Sequence, residues 1–130
     1  MRLLATVLIG LVSISYALDN SALTGTWKSA ERVGGEPRVV LDLKDSGGKL
    51  GGTVVMRGVT DDDNNSTTLN LVIDEPQLTG NKLSFKAKMP DDNVTEWEVQ
   101  FEGDTATAAI VADNDGPSSD IQYWKMKRDR

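Results

Sequence analysis

The chain has 130 residues, 14 basic and 20 acidic side chains, a net charge of −6, and neither cysteine nor histidine. The absence of both removes Ser-His-Asp and Cys-His nucleophiles together with the usual zinc and copper ligands, so no catalytic residue and no cofactor are assigned. The acidic balance excludes nucleic acid as a partner, because phosphate binding depends on clustered Lys and Arg. The one basic run is the short tail Lys125, Lys127, Arg128, Arg130, broken by Asp129.

Residues 1–17 have the three parts of a secretory signal: Arg2, an apolar stretch from Leu3 to Val12, and the small-x-small site Ser15-Tyr16-Ala17. Cleavage is expected after Ala17, giving a secreted or periplasmic protein with no membrane span. Ser13, Ser15, Asp19 and Asn20 follow too soon for the roughly 20 apolar residues of a spanning helix. Residues 18–130 make a single domain, and losing Arg2 leaves 13 basic against 20 acidic side chains, a net charge of −7. With no cysteine, this domain must be stabilised by packing alone.

From there the chain alternates short runs rich in Val, Thr, Leu, Trp and Phe with clusters of Gly, Asp, Asn and Pro, the pattern of an all-β sandwich or barrel. The eight runs are residues 23–30, 38–44, 49–59, 67–74 continuing to 78, 82–89, 94–102, 105–112 and 120–128. Short turns throughout favour an up-and-down meander, and eight antiparallel strands with one apolar face close readily into a barrel. The outer face would carry Lys86, Lys88, Glu96, Glu98 and Glu102, which rules out an outer-membrane barrel.

Pairing tests this reading, since a slip of one residue sends every side chain to the wrong face. Asp45-Ser46-Gly47-Gly48 is expected to join two runs so that Leu43 meets Leu50, Leu41 meets Gly52 and Val39 meets Val54. Leu78 must pair with Leu83, which changes the parity of the fourth run and requires a bulge near Glu75-Pro76. Across Pro90-Asp91-Asp92-Asn93, Phe85 is set against Val99 and Ala87 against Trp97, with Lys86 facing Glu98 and Lys88 facing Glu96; a shift by two still leaves a Lys opposite a Glu. Gly103-Asp104 suits a type II′ turn that places Phe101 against Ala106 and Trp97 against Ile110.

The first run carries Gly25-Thr26-Trp27. A G-x-W here, ahead of an eight-strand meander, resembles the lipocalin and avidin (calycin) type of barrel. It is also similar to small exported bacterial barrels in which G-T-W, a glycine-rich L-x-G-x hairpin and a last strand ending in Lys or Arg recur, mostly without assigned function. The resemblance implies that Trp27 lies near the closed end and that a basic residue of the last strand crosses its ring. Arg128 is preferred to Lys127 because it shares a face with Trp124 and Met126, and the contact is worth about 0.5–2 kcal/mol.

Catalysis by a carboxylate pair needs one desolvated member, and Glu96, Glu98 and Glu102 all fall outside, so the chain is read as a non-enzymatic binding protein. Two places suggest themselves. Met56, Phe85, Trp97, Phe101 and Trp124 either line an interior pocket for a small apolar molecule or simply form the core, with Gly52, Gly58, Ala87, Ala106, Ala108 and Ala112 as the small residues beside them. Alternate connections of a meander share one end, and this gathers Asp61, Asp63, Asp91, Asp113 and Asp115 at the mouth, a candidate for weak Ca²⁺ or a cationic ligand. Asp61-x-Asp63-x-Asn65 begins like a calcium loop but has Ser66 and Val72 where Gly and Glu belong, and Asp, Asn and Gly also populate turns for local reasons. The alternative to a small-molecule carrier is an interaction or inhibitor module with a filled core, its acidic loops meeting a basic partner protein.

Overall fold

The computed structural model describes residues 20–129, so the expected signal peptide, its cleavage site and Arg130 lie outside the described residues. A 3-10 helix, Asn20–Leu23, precedes twelve strands: β1 (Gly25–Ser29), β2 (Arg32–Val33), β3 (Glu36–Pro37), β4 (Val39–Ser46), β5 (Lys49–Thr60), β6 (Ser66–Val72), β7 (Asp74–Thr79), β8 (Lys82–Lys88), β9 (Val94–Glu102), β10 (Thr105–Asp113), β11 (Gly116–Pro117) and β12 (Tyr123–Asp129). All but β2 and β3 belong to one antiparallel sheet, in the order β6-β5-β4-β1-β12-β10-β9-β8-β7, with β11 added to β10. β2 and β3 form a separate small hairpin between β1 and β4. Among the described residues no helix is long and apolar enough to cross a membrane.

The sheet is an up-and-down barrel, closed between its first and last strands by pairs such as Trp27 with Arg128. Its two edges, β6 and β7, are halves of the expected fourth run, separated by Ile73. β6 pairs with β5 and β7 with β8, so the wall is nearly closed and one seam remains. The strand breaks where a bulge was required: the β7–β8 register shifts between Asp74 and Gln77, Glu75 has φ of 48°, and Pro76 has no N–H to donate.

Two hairpins differ from expectation by two residues, which leaves every side chain on its anticipated face. Gly47 and Gly48 have φ of 62° and 86°, the signature of a two-residue type I′ turn, so Ser46 and Lys49 close the hairpin. Leu43 then meets Gly52, Leu41 meets Val54 and Val39 meets Met56. In the β8–β9 hairpin the Met89 amide donates to the Asn93 carbonyl at 2.8 Å, and Phe85 faces Trp97, Ala87 faces Thr95 and Lys86 faces Glu96. This register stacks the Phe85 and Trp97 rings, with centroids 5.7 Å apart. The Leu78–Leu83, Phe101–Ala106 and Trp97–Ile110 pairs form as anticipated, and Gly103 has φ of 63° while Asp104 does not, as a type II′ turn requires.

Two of the small residues expected inside are not part of the interior. Gly58 is a bulge in β5 with φ of 73°, and a Cβ there would meet Val33 and Arg38, so its lack of a side chain lets the β2–β3 hairpin pack close. A second bulge between Ile110 and Ala112 sets Ala112 opposite the outward-facing Glu96.

Trp27, at 0% exposure, anchors the closed end. Its Nε1 donates to the Leu23 carbonyl at 3.0 Å and its ring meets Phe101 edge-on at 4.9 Å. The Arg128 guanidinium lies 4.5 Å from the ring centroid, as the lipocalin resemblance implied, and Nη1 donates to the Thr24 carbonyl at 3.0 Å while Nη2 reaches the Ala22 carbonyl. The 3-10 helix is thereby clamped across this end, and Asn20 adds a bond to the Gly48 carbonyl.

Candidate functional site

The open end carries the β2–β3 hairpin and the connections β5–β6, β8–β9 and β10–β12. Strand alternation and turn geometry, not convergence, place its carboxylates. One Asp61 oxygen accepts from the amides of Asp63 and Asn65 at 2.9 and 2.8 Å, Asp91 accepts from Asn93 at 3.0 Å, and Asp113 accepts from Asp115 at 2.9 Å. Each is an Asx-type turn in which the side chain stands in for a backbone acceptor. Two of the loops are joined where Asn114 Oδ1 accepts from the Val94 amide and Asn93 Oδ1 accepts from the Asn114 amide, both at 3.2 Å. Asp61, Asp63, Asp91, Asp113 and Asp115 therefore share an end without sharing a site: among the described residues no group of three or more Asp or Glu is placed to hold a metal ion.

The β2–β3 hairpin is tied to the wall by an Arg38–Glu31 ion pair, by Arg57 Nη1 donating to the Pro37 carbonyl at 2.8 Å, and by Ser29, whose hydroxyl donates to Glu31 and accepts from the Val39 amide. These bonds satisfy polar groups that packing removes from water.

Met56, Phe85, Trp97, Phe101 and Trp124 all lie in the one buried core cluster. Phe101 belongs with Trp27 at the closed end, whereas Phe85, Trp97 and Trp124 form a stack nearer the mouth, the two tryptophans 5.8 Å apart. Trp97 Nε1 donates to Thr95 Oγ1, whose own hydroxyl donates to the Ala87 carbonyl, both at 2.9 Å. Trp124 differs: it is 6% exposed and its Nε1 has no acceptor among the described residues.

Two outer features were not legible beforehand. At the seam a groove of about 570 Å³ is floored by Leu50, Ile73, Leu78 and Leu83 and edged by Asp74 and Glu75. On the β1–β12 wall a groove of about 410 Å³ is lined by Lys28, Arg32, Lys125 and Lys127. The repeat Lys125-x-Lys127 was the only signal of the second, because its other half lies about a hundred residues away along the chain. No protein-family model, no curated protein and no solved structure matches this chain, so the reading of these surfaces rests on its own residues.

Proposed function

We propose that this chain is an exported, non-enzymatic interaction module: a calycin-type barrel filled by its own side chains, which makes its contacts with its exterior. One observation carries the reading. Five aromatic rings from β1, β8, β9 and β12 are 6% exposed or less and pack in two groups, Trp27 with Phe101 and Phe85 with Trp97 and Trp124, which supports an interior taken up by the protein's own side chains. Small eight-strand interiors are just wide enough for either side chains or one small ligand. The calycin assignment is supported by Gly25-Thr26-Trp27 with Arg128 across the ring, and export to the periplasm or medium by Arg2, Leu3 to Val12 and Ser15-Tyr16-Ala17. The lack of any histidine or cysteine supports a non-enzymatic role. The charge of the open end favours a basic partner protein there.

A second reading has its own observation. The unpartnered Trp124 N–H favours a small apolar molecule bearing one acceptor, held near the mouth. Titration of the purified chain with a fluorescent fatty-acid analogue separates the two. A filled barrel shows no saturable quenching of tryptophan emission. Saturable one-to-one quenching, weakened by Trp124→Phe, would overturn it in favour of a carrier.

A further inference from the structure

We propose that the outer wall formed by β1 and β12 is a binding surface for a linear anionic glycan. The proposal rests on the reading that this barrel works through its exterior, and it names a partner for one face. Strand alternation turns Met126 and Arg128 inward and sends Lys125 and Lys127 out. Lys28 of β1 is the cross-strand neighbour of Lys127, and the Ala30 amide donates to the Lys125 carbonyl at 2.9 Å. Arg32 stands beyond Ala30, with Nη1 held on the Gly35 carbonyl at 2.8 Å.

Lys28, Arg32, Lys125 and Lys127, together with Arg128 and a single carboxylate, Asp129, thus line one groove on a protein whose net charge is −6. Like charges set directly across a strand pair are destabilising. Elsewhere on the outer wall the protein avoids this: Lys82 pairs with Glu98, Lys86 with Glu75 and Lys88 with Asp92. On the β1–β12 wall Lys28 reaches Asp129 at 2.9 Å, while among the described residues no carboxylate forms an ion pair with Lys125, Lys127 or Arg32. Charge complementarity calls for an anion here.

The layout selects its kind. Tyr123, Lys125 and Lys127 follow one another along the outer face of β12, at steps of about 6.8 Å for two strand residues. Tyr123 is 63% exposed, one of two large hydrophobic side chains so placed among the described residues. Duplex DNA carries a charge every 1.7 Å or so and would meet few cations and an acidic body, whereas a glycan with a carboxylate or sulfate on its sugar units matches the wider spacing. An exposed ring offers its face to the apolar side of a sugar. A membrane surface with the usual negative potential repels the rest of the chain and gains little from a single tyrosine.

Binding of a size-defined heparin oligosaccharide to the purified chain at low salt, by calorimetry, tests the assignment. Saturable binding is expected, weakened at least about tenfold by Lys125→Glu with Lys127→Glu and severalfold by Tyr123→Ser. Lys86→Glu with Lys88→Glu makes the same change of charge on another wall and should leave affinity within about twofold. Circular dichroism melting verifies that each variant folds. Absence of binding, equal loss in both double variants, or tighter binding to phosphatidylglycerol vesicles or duplex DNA would overturn the proposal. The fatty-acid titration reads the interior alone, so the two readings fail independently.

Discussion

The two ends of the barrel are held by contacts of different reach. At the closed end Arg128 bonds to Thr24 and Ala22 across 104 and 106 residues of sequence, over the ring of Trp27. At the open end Asp61 bonds to amides two and four residues away, and Asp91 and Asp113 do the same over two. Loops stabilised within themselves can change residues without disturbing the barrel, whereas the closed end joins first and last strands and cannot. This asymmetry leaves the loops of the open end freer to vary than the closed end.

The largest expected break is Trp27→Ala. Deleting a fully buried indole with its Leu23 bond and its Arg128 and Phe101 contacts should cost about 3–5 kcal/mol in urea unfolding. A loss below about 1 kcal/mol would end the claim that this end anchors the fold. Gly52→Ala comes next. Gly52 has φ of 141°, and a Cβ would lie 1.8 Å from the Asp42 carbonyl oxygen, so the β4–β5 ladder must move. A cost above about 2 kcal/mol is expected by the same measurement.

Arg128→Lys keeps the charge but loses the planar fork that reaches two carbonyls and the indole, and about 1–2 kcal/mol of stability should go with it. If Lys substitutes without loss, charge alone serves there. The smallest effect belongs to the open end. Asp61→Ala removes the acceptor of two amides and should cost about 1 kcal/mol, while Asp61→Asn retains an acceptor and should stay within about 0.5 kcal/mol. Equal costs for the two, or a rise in melting temperature on adding millimolar Ca²⁺ to the parent chain, would mean that the acidic end binds a cation after all.

Much of the fold could be read from the chain because strand alternation has period two and each turn carries its own chemistry. Leu83, Phe85 and Ala87 opposite Val99, Trp97 and Thr95 are legible as one inward face, but which of them pair is not, because a slip by two preserves both faces. The turns decided it: left-handed Gly47 and Gly48 shortened one hairpin, and the Met89–Asn93 bond set the other. Counting connections gathers the candidate carboxylates at one end. Their local Asx bonds, which keep them apart as separate turns, depend on side-chain rotamers that composition does not reveal.

By itself the sequence determined an all-β meander, the inward and outward faces and the bulge near Glu75-Pro76, all consequences of short-range alternation and turn residues, while the contact of Trp27 with Arg128 was implied only by the resemblance of the first strand to lipocalin-type barrels. Only the tertiary structure decided the seam at Ile73, the burial of five rings in the core and the basic wall shared by β1 and β12. Each depends on which distant strands become neighbours when the sheet curls shut. Closure brings Lys28 beside Lys127, and no local pattern near either lysine encodes the other.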